Sequence, residues 1–459
     1  MMSDSILRLP AYDPNQITPG IAHFGIGNFH RSHQAMYLDR LIDSGGHDSW
    51  GIIGIGVMPG DVAMRDALAS QNYRYTLVEK SGDGSVEARE IASIRGFLYA
   101  PDDPRAVINL LTDPAIRVVS LTITEGGYNI DRASGEFGLQ NPQVQRDLEN
   151  PHNPCTVFGY IAEGLRRRQE RGIDAFTVMS CDNLPGNGDV TRQVILAYAN
   201  VLNPSLANWI STTVAFPNSM VDRITPVTTD ADRAMAREGF GVNDAWPVVT
   251  EPFTQWVLED TFSSGRPAFE RVGVQLTDDV APYELMKLRL LNASHQAMAY
   301  IGLLRGYAYV HEAIADEEIE RFLRAYLAEA RVTLSRIEGI DVDAYIETLL
   351  QRFRNPYIAD TLARLAVDAS DRIPKFVLPT IRDNLAAGRP ISMGAAVIAS
   401  WEQYLASSDS VIDPLAKQLI PVARSADPLD FIRFTPVFGD LSLSDSFSRA
   451  YQTESSLLL

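Results

Sequence analysis

Ile21-Ala22-His23-Phe24-Gly25-Ile26-Gly27, followed at once by Asn28-Phe29-His30-Arg31-Ser32-His33-Gln34-Ala35-Met36-Tyr37-Leu38, is the stretch on which the fold turns. The first part is an apolar run after the turn signal Pro19-Gly20, and the second has helical periodicity. Strand, Gly-x-Gly turn and helix, in that order, suit a dinucleotide-binding unit. There the glycines let backbone N–H groups approach a pyrophosphate at a helix N-terminus. His30 occupies the third glycine position of the fingerprint, so the motif is incomplete and an ordinary strand-to-helix turn is the other reading. His30 and His33 stand at i, i+3, but no carboxylate or cysteine at ligand spacing completes a metal set, and no metal is expected.

Working outward, Trp50 to Val57 reads as a second buried strand, and Asp61 lies in the loop beyond it. A carboxylate there accepts from the 2′-hydroxyl of an adenosine ribose and repels a 2′-phosphate, so Asp61 argues for NAD over NADP. Its distance from Gly25 exceeds the usual ~20 residues, and a loop-capping role after Pro59-Gly60 is the alternative. Two more β-rich runs follow, Tyr75 to Lys80 and Ile116 to Ile123, the latter leading into a Gly-Gly loop, Thr124-Glu125-Gly126-Gly127-Tyr128. Open α/β sheets bind ligands at such carboxyl ends of strands. The expected cofactor contacts are therefore Gly25, Ile26, Gly27, Phe29, Arg31, Asp61, Glu125 and Gly126. Asp131 to Pro154 reads as loop and Val157 to Arg171 as helix. Ala175 to Cys181 is a strand with Asp182 and Asn183 at its C-terminal lip, where an amide can donate to a substrate oxygen. Val214 to Pro226 is strand and loop, with Asp222 and Arg223 as a candidate local ion pair.

Near Pro282 the character changes from strand-like runs to helical patterns, notably Glu317 to Arg336, Val342 to Phe353, Ile358 to Leu365 and Ile391 to Leu405. The expected fold is α/β: a Rossmann-type dinucleotide-binding domain over residues 1–280, then a mostly α-helical domain over 281–459. Its first helix, Tyr283 to His295, carries the chemistry. At roughly 100° per residue, Lys287, Asn292, His295 and Glu284 fall at about 0°, 140°, 80° and 60°. Those four polar groups share one arc, while Met286, Leu290 and Ala293 make the opposite side apolar. An amine, an amide and an imidazole converging on one point can deprotonate an alcohol and hold its oxygen without a metal. Alternatively, Lys287 reaches solvent while Asn292 and His295 bond backbone carbonyls. Tyr283-x-x-x-Lys287 also fits the Tyr/Lys dyad of short-chain dehydrogenases, but here the dyad begins a second, helical domain.

Composition narrows the field. A net charge of −18, from 40 Lys plus Arg against 58 Asp plus Glu, disfavours nucleic acid and anionic membranes as partners. Two cysteines, Cys155 and Cys181, supply neither a disulfide framework nor a zinc set, so zinc-type alcohol dehydrogenase chemistry is disfavoured and a cytoplasmic location expected. The chain has no run of ~18 apolar residues and no basic n-region.

On Gly25-Ile26-Gly27-Asn28-Phe29-His30-Arg31, Thr124-Glu125-Gly126-Gly127, Ser180-Cys181-Asp182-Asn183-Leu184-Pro185, Val221-Asp222-Arg223 and the Lys287, Asn292, His295 spacing, the chain resembles the polyol-specific long-chain dehydrogenase family over nearly its whole length. That family also carries His at the position of His30. The resemblance implies a metal-independent, NAD-dependent interconversion of a polyol and its ketose, mannitol and fructose first. Arabinitol, sorbitol or a hexuronate is an alternative substrate, and a catalytically silent NAD(H)-binding sensor a different class of alternative. It implies Lys287 as general acid/base, Asn183 and Asn292 on the reacting oxygen, Glu284 as proton relay, and Asp222, His295, Arg364 and Arg372 on the remaining hydroxyls. Arg372 departs from the pattern, since the family member that the chain most resembles has lysine there. Arg364, Arg372 and Lys375 leave a carboxylate-bearing substrate open. A lysine at its unperturbed pKa of ~10.4 is a poor base at neutral pH, and an apolar pocket or cationic neighbour lowers that value. The expected partner is a small-molecule polyol or ketose, the expected assembly a monomer or small homo-oligomer.

Overall fold

The computed structural model describes residues 7–130, 137–408, 410–427 and 429–458. Part of the expected loop, 131–136, lies outside them. The chain divides into two compact units, Met1–Ala281 and Pro282–Leu459.

The first unit is built on five strands: β1 (Pro19–Phe24), β2 (Gly51–Gly56), β3 (Ile94–Tyr99), β4 (Val118–Leu121) and β5 (Thr177–Ser180). They pair in the order β3-β2-β1-β4-β5, every neighbour parallel. A parallel sheet needs both faces covered, and the side-chain alternation of the strands supplies two apolar faces. Ala22, Phe24, Val119, Leu121 and Val178 enter one core, with Ile161, Leu165 and Ile195. Ile21, Val118 and Met179 enter the other, with Met36, Leu41 and Trp256. The strand order reverses between β1 and β4, which is where an open α/β sheet opens a crevice at its strand ends. Two small sheets complete the unit. One runs Leu7–Arg8, Val86–Ile91, Tyr75–Lys80, Val248–Thr250, and the other Gln275–Thr277, Gln255–Glu259, Ser219–Asp222.

The second unit is helical: among its described residues the only β-type pairing is the isolated bridge between Tyr309 and Thr361. Its central helix is composite, with α-helix Ala281–Lys287, a π-helical turn Leu288–Asn292 and α-helix Ala293–Leu304. Ala297, Met298, Ala299 and Tyr300 are all fully buried, as for a helix covered on every side.

Several elements differ from expectation. The helix expected from Asn28 onward breaks at His33 (φ −118°, ψ −91°) into Asn28–Ser32 and Gln34–Asp43. Thr124–Gly127 is a helical turn, not an open Gly-Gly loop. The expected loop up to Pro154 contains a helix, Pro142–Glu149, started by Asn141 accepting from Gln143 N with Pro at the first position. Only Leu362–Leu365 of the Ile358 to Leu365 run is helical, and the Glu317 helix stops at Arg331. Arg223 forms an ion pair with Glu79, far away in sequence, and donates to the carbonyls of Ser32 and Glu251. The last element is a helix, Asp445–Leu458.

Candidate active site

In the first unit the turn after β1 is built for close approach. Gly25 has φ +93°, and a Cβ there would stand 2.1 Å from the Thr122 carbonyl oxygen, so only glycine fits. Gly27 is the N-cap of Asn28–Ser32, and a Cβ added to it would meet nothing within 4 Å. The same holds for Gly126, beyond β4. Open space over backbone glycines at the two strand ends flanking the switch point is the cradle a dinucleotide pyrophosphate needs, so the residues present fit NAD.

The odd residue of the fingerprint has a structural explanation. The His30 ring stacks on the His23 ring with centroids 3.4 Å apart, both fully buried. A third glycine usually brings helix and strand together; here two imidazoles fill that gap. His23 is held with Nδ1 2.8 Å from Ser120 Oγ and Nε2 3.0 Å from Thr122 Oγ1, and burial depresses its pKa to about 3. Arg31 is fully buried, donating to the Trp246 carbonyl and to Asn28 Oδ1 at 2.7 Å, so its guanidinium braces the turn from within. Phe29 stacks on His33 at 5.1 Å, Ile26 is buried, and Glu125 is exposed. Asp61 starts the helix Asp61–Ser70, and its Oδ2 accepts from the N–H groups of Val57 and Met58, both at 2.8 Å.

Asn183 is exposed at the lip of β5, and Asp222 is buried at the end of strand Ser219–Asp222. Asn187, which the sequence did not single out, ties the two segments together. Its Nδ2 donates to the carbonyls of Asp182 (3.0 Å) and Ser219 (2.8 Å), and its Oδ1 accepts from Ser219 N (2.9 Å).

In the second unit the π-helical turn decides the geometry. Its extra residue turns everything beyond it back by about 100°, placing Asn292 at about 40° and His295 at about −20° relative to Lys287. Glu284 stays at about 60°, so the polar arc narrows from about 140° to about 80°. Lys287 is buried, Glu284, Asn292 and His295 are half-buried, and the His295 ring lies 5.0 Å from that of Phe353. Tyr283 is buried and its hydroxyl donates to the Glu338 carbonyl at 3.1 Å, a partner the dyad reading does not provide for.

Arg364 is gripped bidentately by Asp360, both contacts 2.7 Å, and Lys375 pairs with Asp371 at 2.9 Å. Asp360 was legible only as an i, i+4 partner of Arg364. Arg372 Nη1 donates to the Leu365 carbonyl at 3.0 Å, which also accepts from Gln296 of the central helix. That carbonyl links the segment bearing Arg364 and Arg372 to the helix of Lys287 and His295.

A doubly wound sheet with a glycine cradle at its switch point, and a helix that aims a sheltered amine, an amide and an imidazole in one direction, define a class: a dinucleotide-dependent oxidoreductase. Comparison with known proteins gives the family. Residues 19–271 match the mannitol dehydrogenase Rossmann domain and residues 279–456 the mannitol dehydrogenase C-terminal domain, so the chain belongs to the mannitol dehydrogenase family. It is 44% identical to a mannitol 2-dehydrogenase of Aspergillus fumigatus over 95% of this chain and 90% of the relative. Against that of Pyricularia oryzae it is 43% identical with the same coverage. Among solved structures, the ternary complex of Pseudomonas fluorescens mannitol 2-dehydrogenase with NAD and D-mannitol is 46% identical. It superposes with a TM-score of 0.88, covering 98% of this chain and 94% of that one. A substrate-free D-sorbitol dehydrogenase is 38% identical, with TM-score 0.92 and the same coverage.

Proposed function

We propose that the chain interconverts D-mannitol and D-fructose, with Lys287 as general base in oxidation and general acid in reduction. Family membership makes it an NAD-dependent polyol dehydrogenase; the sugar pair and the residue roles are the proposal. The residue roles are supported by the π-helical turn Leu288–Asn292, which turns Asn292 and His295 toward the face of Lys287, and the sugar pair by the similarity to mannitol 2-dehydrogenases.

When bound, NAD accepts the hydride in oxidation and its reduced form donates one in reduction. Lys287, sheltered by burial, takes the proton of the reacting hydroxyl, and Glu284, on the same face, passes it toward water. Asn292 donates to the oxygen as negative charge gathers on it, a contribution that typically reaches ~3 kcal/mol per donor. From the first unit, Asn183 is assigned the same duty toward the oxygen, and Asp222 accepts from a neighbouring hydroxyl. His295, Arg364 and Arg372 bind the remaining hydroxyls. Gly25, Gly27 and Gly126 leave room for the cofactor, and Ile26, Phe29, Arg31, Asp61 and Glu125 are assigned to its contacts, Arg31 also bracing the turn from within.

A neutral polyol is favoured over a hexuronate by charge. A substrate carboxylate wants a cation with no anion already on it; Arg364 and Lys375 each hold an aspartate within 3 Å, so of the three cations only Arg372, which donates to the Leu365 carbonyl, would serve one. A cytoplasmic enzyme, monomeric or a small homo-oligomer, with no nucleic-acid partner, completes the proposal. No helix among the described residues is long and apolar enough to cross a membrane.

A substrate panel followed at the NADH absorbance band tests this reading. D-mannitol oxidation and D-fructose reduction should have the highest kcat/KM, ahead of sorbitol and arabinitol. Turnover of a hexuronate without polyol activity would assign the site to the other branch, and NADH binding without turnover of either would make the chain a sensor.

A further inference from the structure

β4 ends where the chain makes an unusual turn. Thr124 has φ +62°, in the left-handed region that costs a residue with a Cβ and persists only where the surroundings fix it. What fixes it is a side chain from β5's lip. The Asp182 carboxylate accepts from Thr124 N through Oδ1 at 2.8 Å and from Ile123 N through Oδ2 at 3.1 Å. The buried Tyr128 hydroxyl donates to the same Oδ2 at 2.7 Å and lies 2.6 Å from Ser180 Oγ. Glu125 and Gly126, the exposed residues assigned to the cofactor, follow Thr124 directly, and Asn183 follows Asp182.

Asp182 is only 7% exposed, and its partners are hydrogen-bond donors, not a cation. Burial raises its pKa, so at neutral pH its charge is carried at a cost to the folded state. An asparagine would not replace it, because both oxygens face donors and an amide would turn an N–H against one of them.

We propose that Asp182 is a positioning residue: its carboxylate locks the Thr124–Gly127 turn to the lip that carries Asn183, so one side chain sets both cofactor affinity and the orientation of the substrate amide. Asn187 braces the same lip from its other side by holding the Asp182 carbonyl and Ser219. The inference rests on the dehydrogenase reading and deepens it.

Asp182→Asn tests it, with NADH affinity measured by fluorescence titration, mannitol oxidation by steady-state kinetics and folding by thermal denaturation. The variant should keep a cooperative unfolding transition, bind NADH at least tenfold more weakly and lose at least tenfold in kcat. Thr124→Gly, which adopts the left-handed conformation without penalty, should recover part of the NADH affinity when added to D182N. Tyr128→Phe, with one donor removed and both N–H contacts kept, should weaken NADH binding several-fold, and it carries the test if D182N does not fold. Wild-type-like NADH affinity in the folded variant, or a loss that T124G does not reverse, overturns the proposal. Failure of the wild type to bind NADH would instead overturn the dehydrogenase reading.

Discussion

The loop-capping contacts of Asp61 are compatible with the cofactor role proposed for it. Its Oδ2 caps the N–H groups of Val57 and Met58, which holds the loop after β2, and Oδ1 takes no part in those bonds. An oxygen so placed can accept from a ribose hydroxyl and repel a 2′-phosphate. Asp61→Ala should therefore raise KM for NAD and narrow the preference over NADP; an unchanged ratio of kcat/KM for the two cofactors would remove Asp61 from cofactor selection. The pair Arg364–Asp360 works by geometry of the same kind. Asp360→Ala frees the guanidinium from its bidentate grip, so mannitol KM should rise about tenfold with a smaller change in kcat, the signature of lost binding rather than lost chemistry. A fall in kcat alone would give Arg364 a part in the reaction itself. At this scale the candidate residues could be picked out because Glu284, Lys287, Asn292 and His295 share an arc opposite the apolar Met286, Leu290 and Ala293. The duty of Asp182 was not, since its donors lie some 60 residues away in sequence, at Ile123 and Thr124, and are main-chain groups that no composition reveals.

The β1 turn and its helix were readable because glycine spacing and helix periodicity are local, whereas the elements that escaped depend on distant partners. β3 was missed since Arg95 and Gly96 interrupt its apolar run, and its pairing with β2 makes it a strand. The π-helical turn has no compositional sign at all: Leu288-Arg289-Leu290-Leu291 are ordinary helix formers. The stacked His23 and His30 give the β1 unit a testable acid lability. Burial holds both pKa values far below the usual 6.5, His23 at about 3, and for His30 the neighbouring His23, Arg31 and His33 add to the opposition to protonation. Between pH 6.5 and 3 the unfolded chain binds more protons than the folded one, so stability falls as pH drops through that window. Each imidazole contributes up to ~1.4 kcal/mol per pH unit. The thermal midpoint should fall from pH 7 to pH 5, and His30→Phe, which removes one of the titrating rings, should flatten that dependence. Equal midpoints at pH 7 and 5 would mean that the pair does not govern acid stability.

For the whole molecule, the shift from strand-rich to helical sequence near Pro282 and the two cysteines already pointed to a two-part dehydrogenase without a zinc set. Among the described residues no group of three or more His, Cys, Asp or Glu is arranged to hold a metal ion. If Lys287 moves the proton, prolonged chelation should leave mannitol oxidation intact, and loss of activity restored by a stoichiometric metal would require a different mechanism. The substrate pair could not be read from residue pattern alone, because the side chains proposed to bind its hydroxyls are scattered in the sequence from Asp222 to Arg372. The central claim is that Lys287 moves the proton, and Lys287→Ala tests it most directly, with alcohol oxidation and NADH affinity measured on the same preparation. The account predicts oxidation lowered by orders of magnitude, NADH affinity nearly unchanged, and partial rescue of the rate by small exogenous amines. A variant only mildly impaired, alongside an inactive Tyr283→Phe, would contradict it and give the proton to the tyrosine.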